Sequence, residues 1–219
     1  MESAVRYMSD KMNLYHGSVT KVSKLEFGFG NPYNDYGLGF YTTPSFEMAA
    51  EWSVPTPDEN GFVNEYEVRL KDLSILHLDE LPFEYWVSVL MQNRGGLFNR
   101  EVNQDMVKFI KKYPMNLSSY DVVCGYRADD AYFSFVRDFC LNILSLENLQ
   151  KAMYLGDLGI QYCLLSEKAF EKTTFIKSTD ITAKVYHQKR IKRDDVARNR
   201  YLNMPNKRVG TLLLDIIGR

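Results

Sequence analysis

Apolar and polar residues alternate with two different periods along this chain, and the switches between them mark its elements. From Asn64 to Leu70 the alternation is strict. Tyr66, Val68 and Leu70 fall on one side and Glu65, Glu67 and Arg69 on the other, the pattern of a half-buried antiparallel strand. Met12 to His16, Phe40 to Thr43, Leu73 to Leu78, Tyr120 to Gly125, Ile160 to Leu165 and Thr173 to Ile176 read as further short strands. Helical spacing takes over between them. Phe83, Trp86, Val87, Leu90 and Met91 share a face after Pro82, and Arg94-Gly95-Gly96 gives that helix a stop. Met106, Phe109, Ile110 and Tyr113 mark a second helix. Tyr132, Phe135, Val136, Phe139 and Ile143 form the inner face of a third over 131–144. Ser145 is placed to cap a fourth, and Ser166 a short fifth. Residues 1–11 read as a tail or helical lead-in, and 188–201 as a strongly charged helix anchored by Ile191, Val196 and Tyr201. The apolar run from Val209 to Ile217 is expected to dock back on the body.

The stretch from Gly37 to Trp52 carries the most local information. Gly37 and Gly39 allow a tight backbone or a close approach by a ligand. Phe40 to Thr43 suits a strand, Thr43 can cap the helix that follows, and Pro44 fits its first turn. Phe46, Ala49, Ala50 and Ser53 then share one helical face while Glu47 and Glu51 point elsewhere. Tyr41 therefore sits at a strand end beside a helix N-terminus, where a ligand could be met.

Composition is that of an ordinary globular protein, with 45% hydrophobic and 25% charged residues, and no apolar run long enough to span a bilayer. Cys124, Cys140 and Cys163 are odd in number and widely spaced in apolar surroundings. They read as buried free thiols in a reducing, cytoplasmic compartment. No cysteine or histidine spacing points to a metal, and His77 reads as an ordinary strand histidine. Charge changes the picture at one end. Residues 184–208 hold nine Lys or Arg against Asp194 and Asp195, a net of +7. The whole chain is at −1, so the remainder carries −8. This marks a distinct basic C-terminal segment. It is either a solvated helix whose acids pair internally or a surface for an acidic protein or nucleic acid.

Leu14-Tyr-His-Gly-Ser18 and Gly37-x-Gly-Phe-Tyr-Thr-Thr43, with the lead-in Asp35-Tyr36-Gly37, resemble the N-terminal signatures of the ADP-ribosyltransferase superfamily. The branch is the His-Tyr-Glu one that includes diphtheria toxin and the poly(ADP-ribose) polymerases. The chain is most similar to a bacterial family of small ADP-ribosyltransferase-like domains. Tyr120–Asp130 and the strand Ile160–Leu165 match its later elements, so the resemblance covers roughly residues 13–177. It implies an α+β fold of split mixed and antiparallel sheets with flanking helices, a catalytic domain over 1–178, and a basic helical extension over 179–219.

The resemblance also implies NAD+ as co-substrate, no metal, and cleavage of the nicotinamide–ribose bond with transfer of one ADP-ribose to a protein or nucleic-acid acceptor. It assigns His16 to the adenosine ribose, Gly17 to the nicotinamide carboxamide and Tyr41 to the nicotinamide ring. Ser18 and Gly39 belong to the same NAD+-binding signatures, and Trp52 falls where relatives carry a second aromatic wall. Ala49 replaces a serine that bonds the carboxamide in some relatives. Gln161 falls at the catalytic glutamate. Losing such a charge commonly costs on the order of 3–4 kcal/mol of transition-state stabilisation, although the smaller bacterial family is similar in carrying glutamine here. Asp157, or Asp129 and Asp130, are the candidates for a substitute carboxylate. Resemblance to small bacterial toxins further implies an antitoxin partner. Two other classes stay open: a non-catalytic NAD+-binding or partner-binding module, and an NAD+-dependent enzyme that modifies RNA or DNA.

Overall fold

The computed structural model describes residues 10–94, 100–128 and 130–218. The strictly alternating segment is β3 (Gly61–Arg69). Its Tyr66 and Val68 are fully buried, while the glutamates opposite are partly exposed. β1 (Lys11–Ser18) and β7 (Thr173–Ile181) pair with its two edges, giving an antiparallel sheet of order β1-β3-β7. The second sheet is built from β2 (Phe40–Thr42), β4 (Ile75–His77), β5 (Val122–Tyr126) and β6 (Ile160–Leu164). Its order is β2-β6-β5-β4, and it is mixed because β4 runs parallel to β5. The sheets touch at one bridge. The Tyr15 N–H donates to the Thr43 carbonyl at 2.8 Å and the Thr43 N–H to the Tyr15 carbonyl at 2.9 Å. Leu14 and Val68 from one sheet and Val122 and Leu164 from the other close a small apolar cluster.

The helices α1 (Phe46–Trp52), α2 (Phe83–Arg94), α3 (Arg100–Lys112), α4 (Asp130–Cys140), α5 (Leu146–Ala152) and α6 (Glu167–Glu171) flank the sheets. The largest core cluster gathers Trp86 of α2, Phe109 of α3, and Phe135 and Phe139 of α4. The architecture is therefore α+β, one antiparallel and one mixed sheet with flanking helices, ending in α7 (Ala183–Leu202) and α8 (Leu213–Ile217). Among the described residues no helix is long and apolar enough to cross a membrane. All three cysteines are free and buried, and burial pushes the Cys124 and Cys140 thiols up to about 12.

Several elements depart from the sequence reading. Lys11 belongs to β1 rather than to a lead-in. The cap of α1 is Ser45, whose hydroxyl accepts the Met48 N–H at 3.2 Å. Thr43 stays in the bridge between the sheets, so the helix starts two residues later and Pro44 precedes it. Helix α4 stops at Cys140, Asn142 turns with φ +57°, and Ile143 leaves the inner face to stand 45% exposed. The expected stop at Gly95 and Gly96 lies outside the described residues. Ser145 and Ser166 cap α5 and α6 as expected.

The C-terminal stretch is joined to the body more closely than a charge count implies. β7 runs through the expected boundary at 178 to Ile181. Ala197, Tyr201, Leu213 and Ile216 enter the largest core cluster. Of the expected anchors only Tyr201 is buried, stacked on Phe135 at 4.0 Å. Ile191 and Val196 are exposed. Two basic residues of α7 pair with α1: Lys189 with Glu47 at 2.8 Å, and Arg193 with Glu51. Glu51, expected to face away, is thereby buried beneath α7.

Candidate functional site

At the seam between the sheets lies a cavity of about 880 Å3, lined by His16, Phe40, Tyr41 and Gln161 among others. Ligand sites typically enclose roughly 300–1,000 Å3. Its strand side is tightly wired. His16 stands next to the bridging Tyr15, and its Nδ1 lies 2.7 Å from the Tyr41 carbonyl. A carbonyl only accepts, so Nδ1 carries the proton and Nε2 is left as an acceptor. Burial lowers the His16 pKa, which keeps the ring neutral. The Tyr41 hydroxyl accepts the Tyr36 N–H at 2.9 Å and donates to the Gly37 carbonyl at 2.7 Å, which fixes its ring. Burial pushes that hydroxyl far above an ordinary phenol.

Gln161 sits on β6, where Cys163 pairs with Tyr41 of β2. Its Nε2 donates to Asp35 Oδ2 at 2.8 Å and to the Tyr126 carbonyl at 3.2 Å. Both amide hydrogens are thus used, and among the described residues Oε1 has no partner. Asp35 is 5% exposed. It also accepts the Ala128 N–H at 2.9 Å and pairs with Arg94 Nε at 3.3 Å. Burial raises its carboxyl, and Arg94, the Ala128 N–H and Gln161 pull it back down. A buried carboxylate therefore stands directly behind the residue that lacks one. Of the expected substitutes, Asp157 is exposed and absent from the lining. Asp129 and the side chain of Asp130 lie outside what the structure describes.

The other assigned residues divide. Gly39 and Trp52 line the cavity; Gly17 and Ser18 do not. Gly17 is required for packing, because a Cβ there would fall 1.9 Å from the Ala49 carbonyl oxygen of α1. Backbone groups alternate in direction along a paired strand. Those of Gly17 therefore point the same way as Tyr15's, away from β3. The Ser18 hydroxyl donates to the Thr20 carbonyl and accepts from buried Asn64 at 3.1 Å. Asn64 Oδ1 also accepts the Val22 N–H at 3.0 Å, which fixes the loop that brings Lys24, Leu25 and Glu26 to the cavity. One face of Trp52 is covered by the Arg127 guanidinium at 3.7 Å. The indole N–H is buried and has no partner among the described residues. Outside the cavity, His77, Asp79 and Cys124 each hold one ligand-type atom within 4.8 Å of the others.

The family model described as "Protein of unknown function (DUF3990)" matches residues 12–175. The chain belongs to this family. No curated protein and no solved structure matches it. The DUF3990 match contains the whole strand side of the cavity, with His16, Asp35, Tyr41 and Gln161, and ends before α7. Yet one face of α7 completes the cavity with His187, Arg190, Ile191, Asp194 and Arg198. The sequence reading missed this wall because a charged helix with few apolar anchors reads as solvated. Spacings of three, four and seven residues from His187 to Asp194 were the available signal.

Proposed function

We propose that this DUF3990 protein is an NAD+-dependent mono-ADP-ribosyltransferase. The observation that carries the reading is the convergence of His16, Tyr41 and Gln161 on one cavity, with the Asp35 carboxylate 2.8 Å behind the Gln161 amide. In this reading the bond between the nicotinamide nitrogen and ribose C1′ breaks, and its electron pair leaves with nicotinamide. Positive charge builds on the ribose. An acceptor nucleophile then bonds to C1′ and gives up its proton to solvent water. Gln161 Oε1 accepts a ribose hydroxyl, and Asp35 fixes the amide so that its oxygen, not its nitrogen, faces the sugar. The Asp35 charge sits in a buried setting where it acts more strongly on a developing cation than it would in water. His16 Nε2 accepts from a second hydroxyl, and the Tyr41 ring offers a fixed aromatic face.

A second reading, a non-catalytic NAD+-binding module, is favoured by the neutral Gln161 in the cavity lining. One experiment separates the two. Purified protein is incubated with NAD+ labelled in the ADP-ribose half and total cell lysate, beside Tyr41→Ala and Gln161→Ala variants. The transferase reading expects free nicotinamide and labelled macromolecules from the wild type, both lost in the variants. Binding of NAD+ without nicotinamide release refutes it and leaves the binding module.

A further inference from the structure

Nine Lys and Arg residues lie within 184–208, and their surroundings sort them. Lys189 and Arg193 are neutralised by Glu47 and Glu51. Arg200 reaches the Leu155 carbonyl, and Lys207 lies over the Tyr201 ring at 4.1 Å. Arg190 and Arg198 are different. They belong to the helix face that lines the cavity, and among the described residues neither has an acidic or hydrogen-bonding partner. Lys24, brought to the same cavity by the Asn64-held loop, is likewise without a partner among the described residues.

Lys24 and Arg198 are exposed and Arg190 is half-buried, so all three can reach a ligand that enters the cavity. The lining contains five cations, Lys24, Arg94, Arg127, Arg190 and Arg198, against the carboxylates Glu26, Asp35 and Asp194, so it is net positive. Asp194 lies between the two arginines on the same face and opposes an anion, but the excess remains. Arg190 and Arg198 are eight residues apart, about 12 Å along the axis at 1.5 Å per residue. Two long side chains can close on a small dianion from both ends.

We propose that Arg190 and Arg198, with Lys24, form a clamp for the diphosphate of a nucleoside diphosphate, the ADP half of the ligand. The clamp rests on the transferase reading only in that it uses the same cavity. It assigns a ligand role to α7, which lies beyond the DUF3990 match. Nucleic acid fits the surface of α7 less well, because the two tyrosines of that helix are engaged. Tyr201 is 6% exposed against Phe135, and the Tyr186 hydroxyl is bonded to Glu47.

The test is calorimetric titration of ADP, which carries the diphosphate but no nicotinamide, into the full chain. The proteins compared are the wild type, Arg190→Ala/Arg198→Ala, and Lys192→Ala/Arg200→Ala, which removes equal charge from faces of α7 turned away from the cavity. Each charge-assisted contact is worth roughly tenfold or more in affinity. The cavity-face pair is therefore expected to lose at least about tenfold, and the control pair to stay within about twofold of wild type. Three results overturn the clamp: no ADP binding by the wild type, equal loss in both double variants, or undiminished ADP binding by the cavity-face pair. A short RNA whose binding is lost in the cavity-face pair while ADP binding persists would also overturn it, in favour of a nucleic-acid surface. Arginine-dependent ADP binding without nicotinamide release keeps the clamp and refutes the transferase. Nicotinamide release that survives in the cavity-face pair, with unchanged KM for NAD+, does the reverse.

Discussion

On the strand side of the cavity the polar side chains of the proposed site are held in place. His16 is held by the Tyr41 carbonyl, Tyr41 by Tyr36 and Gly37, and Gln161 by Asp35 and Tyr126. On the helix side Arg190 and Arg198 are held by nothing among the described residues. Fixed dipoles around a buried acid suit discrimination at a reacting centre, where reorganisation during reaction is costly. Unpaired cations suit capture of a charged ligand from solution. The first wall lies within the family match and the second beyond it. The chemistry would thus be a family property, and the mode of ligand capture a property of this chain's C-terminal helix.

If the strand wall is a pre-strained electrostatic site, its acid is the most sensitive point. Asp35→Ala takes the carboxylate from the part-buried Arg94, the Ala128 N–H and the buried Gln161 amide, and urea denaturation is expected to show a loss of about 3 kcal/mol. The pH dependence sharpens this. The folded carboxyl titrates above its ordinary 3.8. Between those two values the folded state binds more protons than the unfolded one, so this group's stabilisation is present at low pH and is lost as pH rises. Relative to Asp35→Asn, the wild type should therefore lose stability from about pH 4 upward. A flat difference across that range would mean that Asp35 titrates normally.

Gln161→Glu tests the same wall from its other side. If the charge that Gln161 lacks were all that was missing, a glutamate there would raise activity. Here it would put two carboxylates about 4 Å apart, with repulsion of about 4 kcal/mol at an effective dielectric near 20. The pair should then share a proton, with neutral-pH activity falling and the acid limb of the rate profile moving upward. A gain in activity would remove Asp35 from the account. Gly17→Ala, which drives a Cβ into the Ala49 carbonyl, is expected to cost about 1–3 kcal/mol by thermal unfolding. The smallest effect concerns how α1 is set beneath the helix wall: Ser45→Ala removes its cap for about 1 kcal/mol.

The sequence made the strand wall legible where local pattern and chemistry coincide. Period-two alternation located β3, and the two glycine-flanked signatures picked out His16 and Tyr41. Gln161 followed only from the resemblance of its strand to the one that carries a catalytic glutamate in the ADP-ribosyltransferases. Asp35 was visible only as part of a turn and a lead-in, because the contact that gives it meaning spans 126 residues of chain. The Ser45 cap was obscured by Thr43, a residue with the same capping chemistry that the bridge between the sheets holds in extended form. The helix wall was least legible. Which of nine cations face a cavity depends on Tyr201 and Ala197 docking into a distant core and on Glu47 and Glu51 claiming two of them. Neither follows from the periodicity of α7 alone.

The most direct measurement is nicotinamide release from NAD+ by the wild type and by Asp35→Asn, with NAD+ binding measured alongside. The account predicts release by the wild type and a loss of about a hundred- to thousandfold in Asp35→Asn, with NAD+ binding retained. Bound NAD+ without release by the wild type, or an Asp35→Asn variant as fast as the wild type, would contradict it.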